Sequence, residues 1–152
     1  TRAARSNEKD GVDYHFIPLE DFKKMIQEKE FAEWEMVYEG KYYGTPKSEL
    51  KRIWSLQKVP ILDIDVKGAI HVQKQYPENS LSIFVEPPSV EELSRRLSQR
   101  GTESPESLAA RVSKAAYELT FKDQFDKIVV NDDLQTALQH AEKIVSDFLM
   151  GA

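Results

Sequence analysis

The sequence has 152 residues, 40% apolar and 31% charged, with a formal net charge of −5 and no cysteine. That length suits one domain with a real hydrophobic core, and the composition is far from that of a disordered chain. Disulfides and thiolate metal sites are excluded, the acidic balance disfavours a nucleic-acid polymer as partner, and no apolar run approaches the roughly 20 residues of a membrane span.

In chain order, strands and helices alternate, which predicts an α/β fold with a largely parallel sheet flanked by helices. The chain opens on Thr1-Arg2-Ala3-Ala4-Arg5, with no initiator Met, and reads as if met in mid-domain. Tyr14-His15-Phe16-Ile17 reads as a short strand. Residues 19–29 carry Phe22, Met25 and Ile26 at helical spacing. Phe31 to Tyr38 is strand-like, Glu39-Gly40-Lys41 a turn and Tyr42 to Thr45 a return strand, a small antiparallel insertion. Thr45-Pro46 predicts a helix start, Thr as cap and Pro as first helical residue, running to about Gln57. Val59 to Asp65 is the clearest core strand, followed by a helix over about 67–75. Leu81 to Val85 is the next strand. Ser89-Val90-Glu91-Glu92 is a capping box, and its helix stops at Arg100-Gly101-Thr102. Ser104-Pro105 opens a helix over about 105–124. Lys127 to Val130 is the last strand, and an amphipathic helix over about 133–149 follows.

Four constellations bear on chemistry. Arg2 and Arg5 offer two planar forks matched to phosphate oxygens, with Tyr14 downstream; the alternative is a solvated basic turn. Glu33 lies in an apolar strand across from Tyr43 and Thr45. Its two acceptors match the paired donors on one edge of guanine, and a strand-surface Glu is the alternative. Asp63 and Asp65 share one strand face, where carboxylates commonly hold Mg²⁺ directly or through water; Asp65 is equally placed to cap the next helix. Arg95, Arg96, Arg100 and Arg111 flank the Gly101-Thr102 break and suit a lid closing over phosphates; otherwise they pair with Glu91, Glu92 and Glu103 on an exposed face. His15, His71 and His140 have no metal-ligand spacing.

Together these stretches resemble guanylate kinases. Thr1-Arg2-Ala3-Ala4-Arg5 with Asp10-Gly11-Val12-Asp13-Tyr14-His15-Phe16 is similar to the family's arginine signature. Phe31-Ala32-Glu33-Trp34 with Tyr42-Tyr43-Gly44-Thr45 resembles its guanine-binding segment. Ile61-Leu62-Asp63-Ile64-Asp65-Val66-Lys67-Gly68-Ala69, the Pro87 to Glu103 stretch and Val130-Asn131-Asp132-Asp133-Leu134 resemble three further segments, in order.

The resemblance implies a P-loop kinase core with a GMP-binding insertion, about residues 3–58, and a helical lid, about 95–117. It implies ATP-dependent phosphorylation of GMP to GDP by direct in-line transfer, in purine nucleotide metabolism. Arg2, Arg5, Tyr14 and Tyr43 would hold the GMP phosphate. Glu33 and Thr45 would read guanine, with Asp63 in support, and Asp65 would act through Mg²⁺. Arg96, Arg100 and Arg111 would contact ATP phosphates and the transferring group, and Asn131 would lie beside adenine. The expected partners are GMP and ATP, with no membrane and no nucleic acid polymer, and a homo-oligomer is compatible with this reading. A cysteine-free chain without a signal-peptide pattern is expected in the cytoplasm.

Ala4, Asn7 and Lys67 stand where the family commonly has Pro, Gly and Gln, beside contact residues. The family also places a strand, a GxxGxGKS/T loop and a helix ahead of the arginine segment, and no such loop occurs in these residues. That loop cradles the ATP phosphates, so the 152 residues alone are expected to be inactive and the molecule to be longer. The alternative function is a non-catalytic guanylate-kinase-like interaction module. It is disfavoured here because Asp63, Asp65, Arg96, Arg100 and Arg111 are all present.

Overall fold

The structure, a computed structural model, describes residues 1–99 and 105–151. The chain divides into two compact units, Thr1–Gln75 and Tyr76–Ala152.

The first unit is built on an antiparallel hairpin, β1 (Phe31–Tyr38) and β2 (Lys41–Pro46), turned at Gly40 with φ +70°. α1 (Leu19–Gln27) packs beneath its start through Phe22, whose ring stacks on Phe31 at 4.4 Å between centroids. The hairpin register slips by one residue between Phe31 and Glu33, so Phe31 faces Pro46 while Glu33 faces Thr45. Such a bulge breaks the two-residue alternation and re-aims a side chain. Its consequence is that Phe31, Ala32 and Glu33 are buried in succession. Gly44 is required by close approach, because a Cβ there would lie 2.9 Å from both Phe31 and Trp34 side-chain atoms. α2 (Lys47–Ser55) follows and buries Leu50.

Two expectations fail at that junction. Thr45 does not cap α2: it is a strand residue, and the cap position falls to Pro46 without a side-chain bond. The Thr45 hydroxyl is engaged instead by Glu33. The helix also stops at Ser55, and Gln57 beyond it is left-handed, with φ +56°.

Val59 to Asp65 forms no ladder among the described residues, nor do His15 to Ile17, where only an isolated bridge joins Asp10 and Tyr14. An apolar run becomes a strand only where neighbouring backbone takes its N–H and C=O groups. Ile61 is accordingly 87% exposed. The segment nonetheless delivers α3 (Val66–Gln75), which packs on β1 and buries Val66, Gly68 and Ile70. Asp65 caps α3, its Oδ1 accepting the Gly68 N–H at 2.9 Å.

In the second unit β3 (Ile83–Glu86) and β4 (Lys127–Val130) pair in parallel, as expected of an α/β core, and Phe84 and Val129 are buried there. α4 (Val90–Gln99) is capped by Ser89, whose Oγ accepts the Glu92 N–H at 3.1 Å. Only half of the capping box forms, because the Glu92 carboxylate is taken by Arg95 and Arg96. α5 (Pro105–Leu119) packs on α4 and ends before a 3₁₀ turn at Lys122–Gln124. α6 (Leu134–Met150) packs on β4; its cap Asp133 accepts the Thr136 N–H, and left-handed Gly151 closes it. Among the described residues no helix is long and apolar enough to cross a membrane.

Candidate functional site

A cavity of about 530 Å³ opens in the first unit, a size typical of small-molecule sites. Arg2, Tyr14, Glu33, Tyr43, Thr45, Asp63 and Asp65 all line it, drawn from the N-terminal loop, both hairpin strands and the segment before α3.

At one end sits Glu33, 5% exposed and the buried charged residue of the described core. The bulge turns it inward, and Thr45 Oγ1 donates to its Oε1 at 2.6 Å. Burial raises the Glu33 pKa; the Thr45 bond opposes this, and the Asp65 and Glu35 charges add to it. Asp63 is exposed and Asp65 half-buried.

The other end is cationic. Arg2 Nε donates to the Tyr43 hydroxyl at 2.9 Å, and the guanidinium lies 5.4 Å from the Tyr14 ring centre and 6.0 Å from that of Tyr43. The Tyr14 and Tyr43 rings meet edge to face at 6.1 Å. The loop is tied to β2 by the Tyr42 N–H, which donates to Thr1 Oγ1 at 2.9 Å.

Glu8, which sequence reasoning missed, organises this end. It accepts from Arg2 Nη1 and Nη2 at 2.7 and 2.6 Å, from Arg5 Nη1 at 3.2 Å and from the Arg5 backbone N–H at 2.8 Å. These bonds, led by that from Arg2, bring its pKa down to about 2. Nη1 of Arg2 also donates to Ala3 O, so four of the five guanidinium N–H bonds of Arg2 are committed within the protein. Arg5 is 59% exposed and does not line the cavity, which leaves most of its fork open. The available signal was an acidic residue one turn from Arg5, within a loop otherwise read for its cations.

Among the described residues no group of three or more His, Asp or Glu side chains can hold a metal alone. Magnesium carried by a nucleotide needs only one or two carboxylates besides phosphate oxygens. Asp65 fits that role: Oδ1 accepts the Gly68 N–H, and Oδ2 remains for a magnesium-bound water.

In the second unit Arg96 reaches past the end of β4. Nη1 donates to Asn131 O at 2.7 Å, Nη2 to Asp132 O at 3.1 Å and Nε to Glu92 at 2.6 Å. Arg96 and Asn131 are thus brought together, and Arg95 pairs with Glu92. The Glu92 pKa is brought down to about 2, by Arg95 first and Arg96 next. Arg111 is half-buried on α5. Arg100, with Gly101 and Thr102, lies outside the described residues.

The guanylate kinase family model matches residues 1–148. A guanylate kinase of Bacteroides fragilis is 43% identical over 149 residues, 98% of this chain and 73% of its own length. One of Porphyromonas gingivalis is 44% identical over 149 residues, covering 98% of this chain and 79% of its own. The crystal structure of guanylate kinase from Anaplasma phagocytophilum superposes with a TM-score of 0.78 at 33% identity, over 97% of this chain and 71% of that one.

Proposed function

Because the chain belongs to the guanylate kinase family, we propose that it phosphorylates GMP with ATP, reading guanine through Glu33 and Thr45. The observation that carries this is the buried Glu33 carboxylate, which lines the same cavity as Arg2, Tyr14 and Tyr43. A carboxylate offers two acceptors to the guanine ring N–H and exocyclic amine, and it faces the acceptor edge of adenine with like polarity. Thr45 orients the carboxylate and fixes which oxygen faces the base.

The phosphate of GMP is held by the open fork of Arg5, the remaining N–H of Arg2 and the Tyr14 and Tyr43 hydroxyls, with Asp63 in support at the base end. Residues 3–58 form the GMP-binding part and 95–117 the lid. Arg96, Arg100 and Arg111 hold the ATP phosphates, and Asn131 adjoins adenine. An oxygen of the GMP phosphate forms the new bond to the ATP γ-phosphorus as the bond to the β,γ-bridging oxygen breaks. No enzyme-bound intermediate is needed, so the residues work by alignment and charge. Magnesium, when bound with ATP, would neutralise developing charge, and Asp65 would hold it through water. The reaction belongs to purine nucleotide metabolism, and the cytoplasm is its proposed compartment.

The test is calorimetric titration with GMP and with AMP, and a coupled assay of ADP formation from ATP in the natural protein. GMP is expected to bind and support turnover, AMP to bind only weakly and support none. Equal binding of both nucleotides, or of neither, refutes the base reading.

A further inference from the structure

Gly68 stands in the first turn of α3, where alanine is the better helix former. Its backbone does not require glycine, since the glycines of positive φ are 11, 40 and 151 among the described residues. The surrounding side chains give the reason for it. A Cβ at Gly68 would lie 2.7 Å from Glu33 Oε2, 3.4 Å from Glu33 Cδ and 3.2 Å from Asp65 Oδ1. The clash falls on the end of the Glu33 side chain, which borders the cavity and can yield only by leaving the place where Thr45 holds its other oxygen at 2.6 Å. The N–H of Gly68 meanwhile binds Asp65 Oδ1, which pins the helix end against the same carboxylate.

We infer that Gly68 sets base specificity as a positioning residue: the hydrogen in place of its side chain makes the seat that Glu33 needs to face the base. This rests on the reading of Glu33 as the guanine acceptor. Gly68 itself does not line the cavity, so its effect passes through Glu33. A methyl group there drives the carboxylate off its seat. Both acceptors then leave the positions fixed by Thr45, while the Arg2–Glu8–Tyr43 end is untouched.

The experiment is Gly68→Ala beside the wild type, titrated with GMP, guanosine and AMP, with denaturant unfolding of each. The dissociation constants of GMP and guanosine should rise together by about ten- to a hundredfold, the range for losing hydrogen bonds to a charged group. Weak AMP binding should not change, and the unfolding midpoint should hold or rise. A purely structural role predicts the reverse: a lower midpoint, with selectivity among the nucleotides kept. A folded variant with unchanged GMP affinity overturns the inference, as does a loss confined to GMP and absent with guanosine. A wild type indifferent to GMP and AMP removes the Glu33 reading and this inference with it. If Gly68→Ala does not fold, the double variant Glu33→Ala/Gly68→Ala decides. Folding as well as Glu33→Ala locates the conflict at the carboxylate, whereas failure of the double variant assigns Gly68 to helix packing and overturns the inference.

Discussion

Replacing Glu33 by Gln changes one oxygen to an amide nitrogen and leaves the shape of the side chain intact. Thr45 Oγ1 donates to Oε1 in the native protein, so the Gln oxygen keeps that place and the NH₂ group takes that of Oε2. Guanine then meets one neutral acceptor and one donor where it had two charged acceptors. Hydrogen bonds to charged groups are worth about 1.5–3 kcal/mol each, so losing one and weakening the other costs about 3 kcal/mol, or roughly a hundredfold in affinity. Folding should not suffer, because an uncharged amide relieves the desolvation that raises the Glu33 pKa. The assay is calorimetric titration of wild type and Glu33→Gln with GMP and AMP. A hundredfold loss for GMP with AMP unchanged is expected. Equal losses for both nucleotides, or a GMP loss below about threefold, would refute the reasoning.

The raised Glu33 pKa predicts that guanosine affinity, free of phosphate titration, falls on acidification at a higher pH than an ordinary Glu would give, and that Glu33→Gln removes this limb. Protonation of a group whose folded pKa is raised does not cost stability, so this loss should precede unfolding; Glu8, whose pKa is lowered to about 2, keeps its arginines until far more acid pH. Glu8→Gln should weaken GMP by roughly tenfold and leave guanosine unchanged, the scale on which groups that orient direct contacts act; an equal effect on both would deny it a place at the phosphate end. Asp65→Asn keeps a good cap on α3, so the unfolding free energy should stay within about 0.5 kcal/mol. ADP formation should nonetheless fall by at least about tenfold, and full turnover would exclude Asp65 from magnesium binding.

Much of the second unit was legible because its signals are local. Ser89 caps the helix it precedes, β3 and β4 carry short apolar runs, and the apolar spacing of α6 follows from the 3.6-residue turn. The hairpin was legible from its turn residues. What failed depended on partners distant in sequence. The Val59 to Asp65 run has strand composition, yet forms no ladder among the described residues, because pairing is a property of the neighbouring backbone. Thr45-Pro46 looks like a helix start, but the hydroxyl meets a buried carboxylate across the hairpin that outcompetes the local cap.

By itself the sequence determined the residue types and their order: two arginines in one loop, a glutamate set among apolar residues of a strand, an Asp pair before a helix. These follow from side-chain chemistry and short-range spacing, which are written in the chain. Tertiary structure alone decided that the bulge at Ala32 turns Glu33 inward and that Glu8 commits most of Arg2. It alone brought Gly68, 35 residues beyond Glu33, against its carboxylate. A one-residue slip in register reverses the face a strand side chain occupies, and packing across such separations is fixed only when the elements meet.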